Sequence, residues 1–375
     1  MWKLILLLLV LIVLVLSVAR WKWHPFIALL LAALAFGLCV GLGGPATVNL
    51  VAEGFSNTLK WIAIVVILGA FIGEVLRETG GAFRIAEKMV NWFGQKRLPW
   101  AMGLTGYLVS IPVFVDVAYI VLQPVTEALS ARSKQPVLVL ALALTAGLTV
   151  SHTLIPPTPG PLAVAALLDA SIGRLLLING TIGLFALTGG VIFAKVVAKN
   201  YWLAYDEKLV EVTKAPTAEP EPGTSPVFFD LLPILIPILL MGIGAFYPED
   251  DPSIMGQTVR TLSTPMVAVL VGAGIAALFY RRNHPKGNLN VLVEQAITKS
   301  ALVIMITGAG GAFGHLIREG GIQGTLTNFF STAPFLGFFL PFLVAAVLTT
   351  ATGSITVSLI GAASIVGPLA PTMPF

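Results

Sequence analysis

Few side chains in this sequence could do chemistry, and the first group of them lies at a break in a long apolar run. It is the segment 110–116, Ser-Ile-Pro-Val-Phe-Val-Asp. Pro112 has no backbone N–H and therefore breaks a helix at this point. Asp116 is the only acid between Glu87 and Glu127, and an ionisable side chain inside an apolar span is first interpreted as functional. The alternative is that Asp116 only bonds backbone groups that the break leaves free.

The second group, residues 349–356, surrounds a glycine with small hydroxyl residues. This composition suits close approach to an anion, but it suits close packing between helices equally well. Helix packing would be the better interpretation of the string taken alone. Its position in an internal repeat, described below, favours the anion site instead. The residues expected there are Thr352, Gly353, Ser354 and Thr356.

The third group is the segment 151–161, Ser-His-Thr-Leu-Ile-Pro-Pro-Thr-Pro-Gly-Pro. Its four prolines within six residues predict that residues 156–161 are not helical. Non-helical backbone at membrane depth is tolerated only where it is buried in protein or lines a cavity. His152 could carry protons or donate to a carboxylate, with Thr153 beside it. The alternative is a loop at the membrane surface.

The composition indicates which elements must position these residues. Hydrophobic residues make up 57% of the chain and charged residues 11%, whereas a soluble domain carries about 25% charged residues. A helix needs roughly 20 apolar residues to cross a bilayer, and its backbone groups must bond internally. The sequence therefore predicts an all-α polytopic membrane protein with lipid as a partner. The apolar runs are 4–19, 25–40, 61–71, 98–129, 137–150, 175–197, 231–246, 265–280, 301–313 and 335–365.

Charges at the ends of the runs indicate orientation. Arg20 and Lys22 directly follow the first run, which we expect to be an uncleaved span with its N-terminus outside. The loop 247–253 carries acids and no base, so it is expected outside. Directions between residues 60 and 174 stay open. No extended basic patch of the kind that binds nucleic acid occurs in the sequence, so no nucleic-acid partner is expected.

Two halves of the chain resemble each other at an offset of 241 residues. Residues 73–80, Gly-Glu-Val-Leu-Arg-Glu-Thr-Gly, align with residues 314–321, Gly-His-Leu-Ile-Arg-Glu-Gly-Gly. The same offset places 110–113 on 351–354. Gly- and Pro-interrupted spans at matching positions are typical of secondary transporters with inverted-topology repeats. The Arg-Glu pairs within the aligned strings either close re-entrant hairpins or lie as ion pairs at the water interface.

The repeat also predicts the domain organisation. Residues 1–200 form the first transmembrane repeat, the charged, Pro-rich segment 201–226 is a polar cytoplasmic linker, and residues 227–375 form the second repeat. The Pro-rich segment would have its equivalent at 392–402, so we expect the natural protein to extend by roughly 60–80 residues. We expect that the 375-residue form alone does not transport.

The chain resembles the gluconate permease family over nearly its whole length. The resemblance implies proton symport of gluconate or related hydroxy acids, an acid at Asp116 and a histidine at His152. The family commonly has a second histidine where this chain has Thr158, which leaves the carboxylate open. The strings that carry the resemblance are 23–26, 80–86, 112–116, 151–161, 308–313 and 352–357.

These observations together predict a secondary active transporter, not an enzyme, that imports gluconate or a related sugar acid across a bacterial cytoplasmic membrane. Half-helix N-termini would bind the carboxylate, with Ser110, Pro112, His152 and Thr153 at the first break. Asp116 and His152 would couple protons. We expect segments 110–116 and 352–356 to meet near the midplane. No cofactor, metal site or catalytic residue is expected, and a homo-oligomer is left open.

Three other functions are weighed. The first is a sodium-coupled di- or tricarboxylate transporter built on a similar inverted repeat. The second is an intramembrane enzyme that uses His152 and Asp116, against which the repeat argues. The third is a channel, for which the sequence shows no ring of charges.

Overall fold

A computed structural model describes residues 2–198, 227–247, 252–321, 334–352 and 355–367. Side chains are not described at Trp61, Asp116, Arg132 and Ile365, nor at 334–338 and 350–352. The elements in these ranges are helices: α1 Trp2–Ala19, α2 Pro25–Val40, α3 Gly44–Glu78, α4 Gly81–Phe93, α5 Leu98–Val109, α6 Val115–Ser133, α7 Val137–Leu154, α8 Pro159–Leu167, α9 Ile172–Val197, α10 Val227–Phe246, α11 Ile254–Ser263, α12 Pro265–Asn283, α13 Leu289–Glu319, α14 Pro334–Thr352 and α15 Ile355–Val366. A short 3-10 helix, Gln95–Arg97, precedes α5.

Many of these helices are long and apolar enough to cross a membrane. Within the described ranges, six spans meet that test, or seven if the bent α3 is one span. Helices α7 and α8 form one of them, Val137–Leu167. Large apolar side chains remain exposed along the helices, as in Phe185 and Leu278. The prediction of an all-α polytopic membrane protein is confirmed.

The helices divide into two compact units. Unit 1 contains Met1–Val66, Pro159–Ser171 and Ser300–Phe375. Its main core forms where α1 and α2 pack with the second half of α13, around Phe36 and Phe313.

Unit 2 contains Ile67–Thr158 and Ile172–Lys299. In it α5 and α7 pack closely, because Gly147 of α7 lies directly against the carbonyl of Gly103. Helix α9 packs on the same pair, and Gly183 of α9 lies against the ring of Tyr107.

Helices α5 and α6 form a hairpin in unit 2. Residues 110–114 separate the two helices at the break that Pro112 predicts. The outer ends of the hairpin lie together, since the Gln135 side-chain amide donates to Gln95 O at 3.0 Å. The twelve residues of α5 are about 18 Å long and the nineteen of α6 about 28 Å long, so the two arms differ in length.

Helices α14 and α15 also pack against each other, in unit 1. An added Cβ on Gly361 would lie 2.8 Å from the Leu348 side chain. Helix α14 ends at Thr352 and α15 begins at Ile355. The second predicted break thus falls between them, but its residues Gly353 and Ser354 lie outside the described residues.

The ends of α3 and α13 agree with the offset of 241. Helix α3 ends at Glu78 and α13 at Glu319, so the two ends are 241 positions apart. Gly80 and Gly321 follow them with φ of 68° and 63°, a conformation that glycine adopts without steric cost. The inverted relation of the repeats and the predicted boundaries 1–200, 201–226 and 227–375 stay predictions.

The prediction that the six residues 156–161 are not helical is wrong at their C-terminal end, where Pro159–Pro161 form the first turn of α8. Residues 151–154, before them, form the last turn of α7. A helix leaves its first N–H groups without internal acceptors, so prolines fit there without losing a hydrogen bond. Only residues 155–158 are irregular.

Candidate functional site

The tip of the α5–α6 hairpin is buried and internally bonded. Ser110, Ile111, Pro112 and Val113 are all buried. The Ser110 hydroxyl donates to Val113 O at 3.1 Å, and the Ser110 N–H donates to Gly106 O at 3.0 Å. Ser110 therefore stabilises the conformation of the tip through both its hydroxyl and its backbone N–H.

The N-terminus of α6 opens from this tip without a side-chain cap. Phe114 is the N-cap residue, with an extended backbone and no side-chain hydrogen bond to the helix. The first hydrogen bond of α6 is Ala118 N–H to Phe114 O at 2.9 Å. The preceding N–H groups have no acceptor within the helix and carry partial positive charge. Such a helix end suits an anion. The side chain of Asp116, in the same turn, lies outside the described residues.

His152 of α7 lies beside this helix end. Its side chain is buried, and its ring centroid lies 5.9 Å from that of Phe114. The neighbouring Ser151 is fully buried, and among the described residues its hydroxyl has no hydrogen-bond partner. Thr153, by contrast, donates its hydroxyl to Thr149 O at 2.6 Å. Of these polar side chains only His152 is seen to contact the tip, while the hydroxyl of Thr153 is bonded within its own helix.

The end of α7 is shaped by prolines that cannot donate. Pro156 and Pro157 stand where N–H groups would otherwise continue the helix. Asn179 of α9 compensates in part, since its side-chain amide donates to Leu154 O at 3.0 Å. Thr158 closes the turn with its hydroxyl, which donates to Ile155 O at 2.6 Å. Thr158 therefore acts as a turn-forming residue in this chain.

Helix α3 packs closely against the tip of the α5–α6 hairpin at Gly73. A Cβ added to Gly73 would lie 2.8 Å from Pro112 O and 3.3 Å from the Val113 side chain. In the sequence, Gly73 stands out only as the first residue of the repeated string 73–80. Its contact with the tip could not be predicted, because nothing local to residue 73 indicates what packs on it.

The second predicted element lies in unit 1 and is described in part. Thr356 is buried in the first turn of α15. A Cβ added to Gly160 of α8 would lie 2.8 Å from the Leu359 side chain and 3.9 Å from Thr356 Cα. The side chain of Thr352, and Gly353 and Ser354 as a whole, lie outside the described residues. The predicted meeting of 110–116 with 352–356 stays a prediction.

The two repeat-related arginines have different partners. Arg77 Nε donates to Glu74 Oε2 at 3.0 Å, whereas Arg318 donates to Leu167 O, the last carbonyl of α8, at 2.6 Å. Glu74 is 4% exposed and also pairs with Lys299 of α13. Sequence reasoning missed Glu74 and Lys299 as functional candidates. The signal was available, since both are charged residues in long helices.

Among the residues that the structure describes, no three His, Cys, Asp or Glu side chains come together in a way that could bind a metal ion. The expectation that the protein uses no cofactor stays a prediction.

Residues 2–375 match the model of the family described as GntP family permease. The chain belongs to this family. Among relatives, an uncharacterized permease of Haemophilus influenzae is 35% identical over 370 residues, which cover 95% of this chain and 76% of that protein. A gluconate permease of Pseudomonas aeruginosa is 32% identical, with 95% and 80% covered. The Gnt-II system L-idonate transporter of Escherichia coli is 27% identical, with 98% and 83% covered.

Solved structures show the same fold at low identity. The chain is similar to MtrF of Neisseria gonorrhoeae with a TM-score of 0.67 and 12% identity, covering 96% of this chain and 83% of MtrF. It is similar to the YdaH transporter of Alcanivorax borkumensis with a TM-score of 0.58 and 14% identity, covering 94% and 83%.

Membership of the GntP permease family settles several of the expectations. The protein is a multi-pass permease of the bacterial inner membrane. It is a transporter rather than an intramembrane enzyme, so that alternative is excluded. The resemblance noted in the sequence is confirmed.

Proposed function

We propose that this GntP-family permease imports gluconate or a closely related sugar acid by proton symport. Relatives over nearly the whole chain are named for gluconate or L-idonate. Both substrates are hydroxy acids with one carboxylate and a chain of hydroxyls. A site for them needs donors for the carboxylate and polar groups for the hydroxyls.

The observation that carries the proposal is the N-terminus of α6, where Phe114 supplies no side-chain cap, beside His152 of α7. The backbone N–H groups of this first turn would bind the carboxylate. The Ser151 hydroxyl is buried and, within the described residues, lacks a hydrogen-bond partner, so a substrate hydroxyl would satisfy it. His152 would donate to the substrate or carry its proton.

The second half of the proposed site comes from the α14–α15 break. Thr352, Gly353, Ser354 and Thr356 would supply hydroxyl and backbone groups. Support comes from the offset of 241, which aligns 351–354 with 110–113. The same offset relates the ends of α3 and α13.

The inverted relation of the repeats is supported by how α3 and α13 pair. In unit 1, Gly54 lies against Ala312 and Thr58 against Gly311. In unit 2, Glu74 pairs with Lys299, and Arg77 donates to Gln295 Oε1 at 3.2 Å. In each unit, residues further along α3 contact residues earlier in α13, so the two helices run antiparallel there. Repeats related by an axis in the membrane plane would pair their equivalent helices in this way.

Proton coupling is proposed for Asp116 and His152. Asp116 is proposed to load a proton on one side of the membrane and release it on the other, because an ionisable residue within an apolar span is first interpreted as functional. Asp116 belongs to the first turn of α6, and His152 lies beside Phe114, the N-cap residue of that helix. Each would therefore sense the charge of a substrate bound there.

Uptake of labelled gluconate in a host lacking its own gluconate permeases tests the proposal. We expect uptake that unlabelled gluconate and idonate compete away, while citrate and succinate do not. In proteoliposomes, an inward proton gradient should drive accumulation without sodium, and a protonophore should abolish it. Accumulation that requires a sodium gradient would overturn the proton mechanism. Uptake competed only by di- or tricarboxylates would overturn the substrate class.

A further inference from the structure

A buried carboxylate in unit 2 is held by two cations. Glu74 of α3 has a side chain that is only 5% exposed. One of its oxygens accepts from Arg77 Nε, at 3.0 Å, and the other accepts from Lys299 Nζ. The two cationic side chains are about a third exposed, 31% for Arg77 and 34% for Lys299. The protein therefore encloses the two cations less completely than the acid between them.

The cations also have donors to spare. Lys299 carries three N–H donors and Arg77 five. In the described part of the chain, Arg77 also donates to the half-exposed Glu78 at 3.4 Å and to Gln295 at 3.2 Å. Glu78 in turn interacts electrostatically with Tyr280 of α12. Glu74 and Glu78 together balance the charges of Arg77 and Lys299, so displacing or removing Glu74 leaves a net charge of +1 that attracts another anion.

The carboxylate adjoins the hairpin tip through the backbone. Gly73, the residue before Glu74, is the point where α3 touches Pro112 and Val113. Glu74 is therefore the next residue in sequence to the contact between α3 and the tip. Burial of its carboxylate carries a desolvation cost that offsets much of its attraction to the two cations.

We propose that Arg77 and Lys299 form a carboxylate subsite and that Glu74 occupies it as an internal competitor. A small carboxylate anion would displace Glu74 and take over its two hydrogen-bond donors. Arginine and lysine both suit this ligand, the first through its planar fork and the second as a point charge. The subsite rests on the proposed function only for the identity of its natural ligand, a sugar acid on its way through the protein.

Chemical rescue of Glu74→Ala tests the subsite without relying on transport. Removing the acid leaves two cations beside an empty space of carboxylate size. Sodium acetate should then raise the thermal unfolding midpoint of the purified variant by several degrees more than equal sodium chloride does, because binding to the folded state stabilises it. Wild type should show little acetate-specific shift. The double variant Glu74→Ala/Lys299→Gln should lose most of the shift.

Glu78→Ala is the matched control. Glu78 contacts the same arginine, but its side chain is 46% exposed, so its loss should create no acetate-specific stabilisation. Equal acetate shifts in Glu74→Ala and Glu78→Ala would overturn the subsite. Should Glu74→Ala fail to fold, Glu74→Gln serves instead, since its neutral amide leaves both cations available. Acetate should stabilise Glu74→Gln more than wild type, and equal shifts would again overturn the subsite.

Gluconate uptake by the wild type is measured separately in the permease-deficient host. Absence of that uptake overturns the proposed substrate, while the acetate result still decides the subsite. With uptake present, Glu74→Gln should lower the dissociation constant for gluconate. An unchanged constant would overturn the subsite's role in transport.

Discussion

The imidazole of His152 and the phenyl ring of Phe114 lie with centroids 5.9 Å apart and planes tilted by 56°. This contact joins the end of α7 to the residue that begins α6, so it fixes the histidine beside the open helix end. His152→Gln should retain hydrogen bonding but lose the proton-carrying group, and proton-driven uptake should fall about 100-fold. His284→Gln, at an exposed position, is the control and should transport normally. Uptake assays in whole cells measure both.

Gly73→Ala should disturb the tip. The added Cβ would lie 2.8 Å from Pro112 O. The shift needed to relieve this contact should destabilise the native packing of α3 on the tip by about 1–3 kcal/mol. We expect kcat/KM for uptake to fall about tenfold or more, since 1.4 kcal/mol corresponds to a factor of ten. Gly69→Ala on the same helix meets nothing within 4 Å and should leave uptake unchanged. Similar losses in both variants would show that α3 is sensitive to alanine in general.

Ser151→Ala should separate affinity from stability. Among the described residues the Ser151 hydroxyl has no partner, so its removal should leave the unfolding midpoint unchanged or raise it. Loss of a hydrogen bond to substrate should raise the KM for gluconate about tenfold. Ser130→Ala is the control, because the Ser130 hydroxyl donates to Gln135 O at 2.7 Å. That variant should lose stability while its KM stays close to wild type.

Asp116→Asn should uncouple transport from the proton gradient. The amide cannot release a proton, so we expect uphill accumulation to be lost while exchange of internal for external gluconate continues. Proteoliposomes loaded with gluconate measure both activities in one preparation. Glu127→Gln lies on the same helix, where Glu127 accepts from Gln123 at 2.9 Å, and should still accumulate substrate. Wild-type accumulation by Asp116→Asn would exclude Asp116 as the proton site.

Arg84→Ala should destabilise unit 2. Arg84 of α4 donates to both carboxylate oxygens of Asp230 in α10, at 2.8 and 2.6 Å. Both side chains are largely buried, so removing the arginine leaves a buried unpaired charge and should cost about 3–5 kcal/mol. The double variant Arg84→Met/Asp230→Leu should recover most of the loss. Denaturation in mild detergent measures both, and an equally unstable double variant would contradict this account.

The sequence by itself determined the elements and the places where they break. Apolar runs became helices because backbone groups in lipid must bond within their own segment. The break at Pro112 followed from a missing N–H, which is a property of one residue. The left-handed glycines Gly80 and Gly321, 241 positions apart, agree with the repeat found in the sequence.

Local rules also had a limit within the Pro-rich segment. They predicted that residues 156–161 would not be helical, yet prolines also start helices, as Pro159 does in α8. Which role a proline takes depends on where the neighbouring helix begins, and packing decides that.

Only the tertiary structure decided what lies against the breaks. The Gln135–Gln95 hydrogen bond that brings the hairpin ends together joins residues 40 positions apart. The contact of Gly73 with Pro112 and the pairing of Glu74 with Lys299 span 39 and 225 positions. Such contacts depend on how whole helices pack, and no local pattern of residue types encodes them. The sequence could therefore point to Pro112 and His152 as candidates. Only the packing of the helices showed that Gly73 contacts Pro112 and that Glu74 pairs with Lys299.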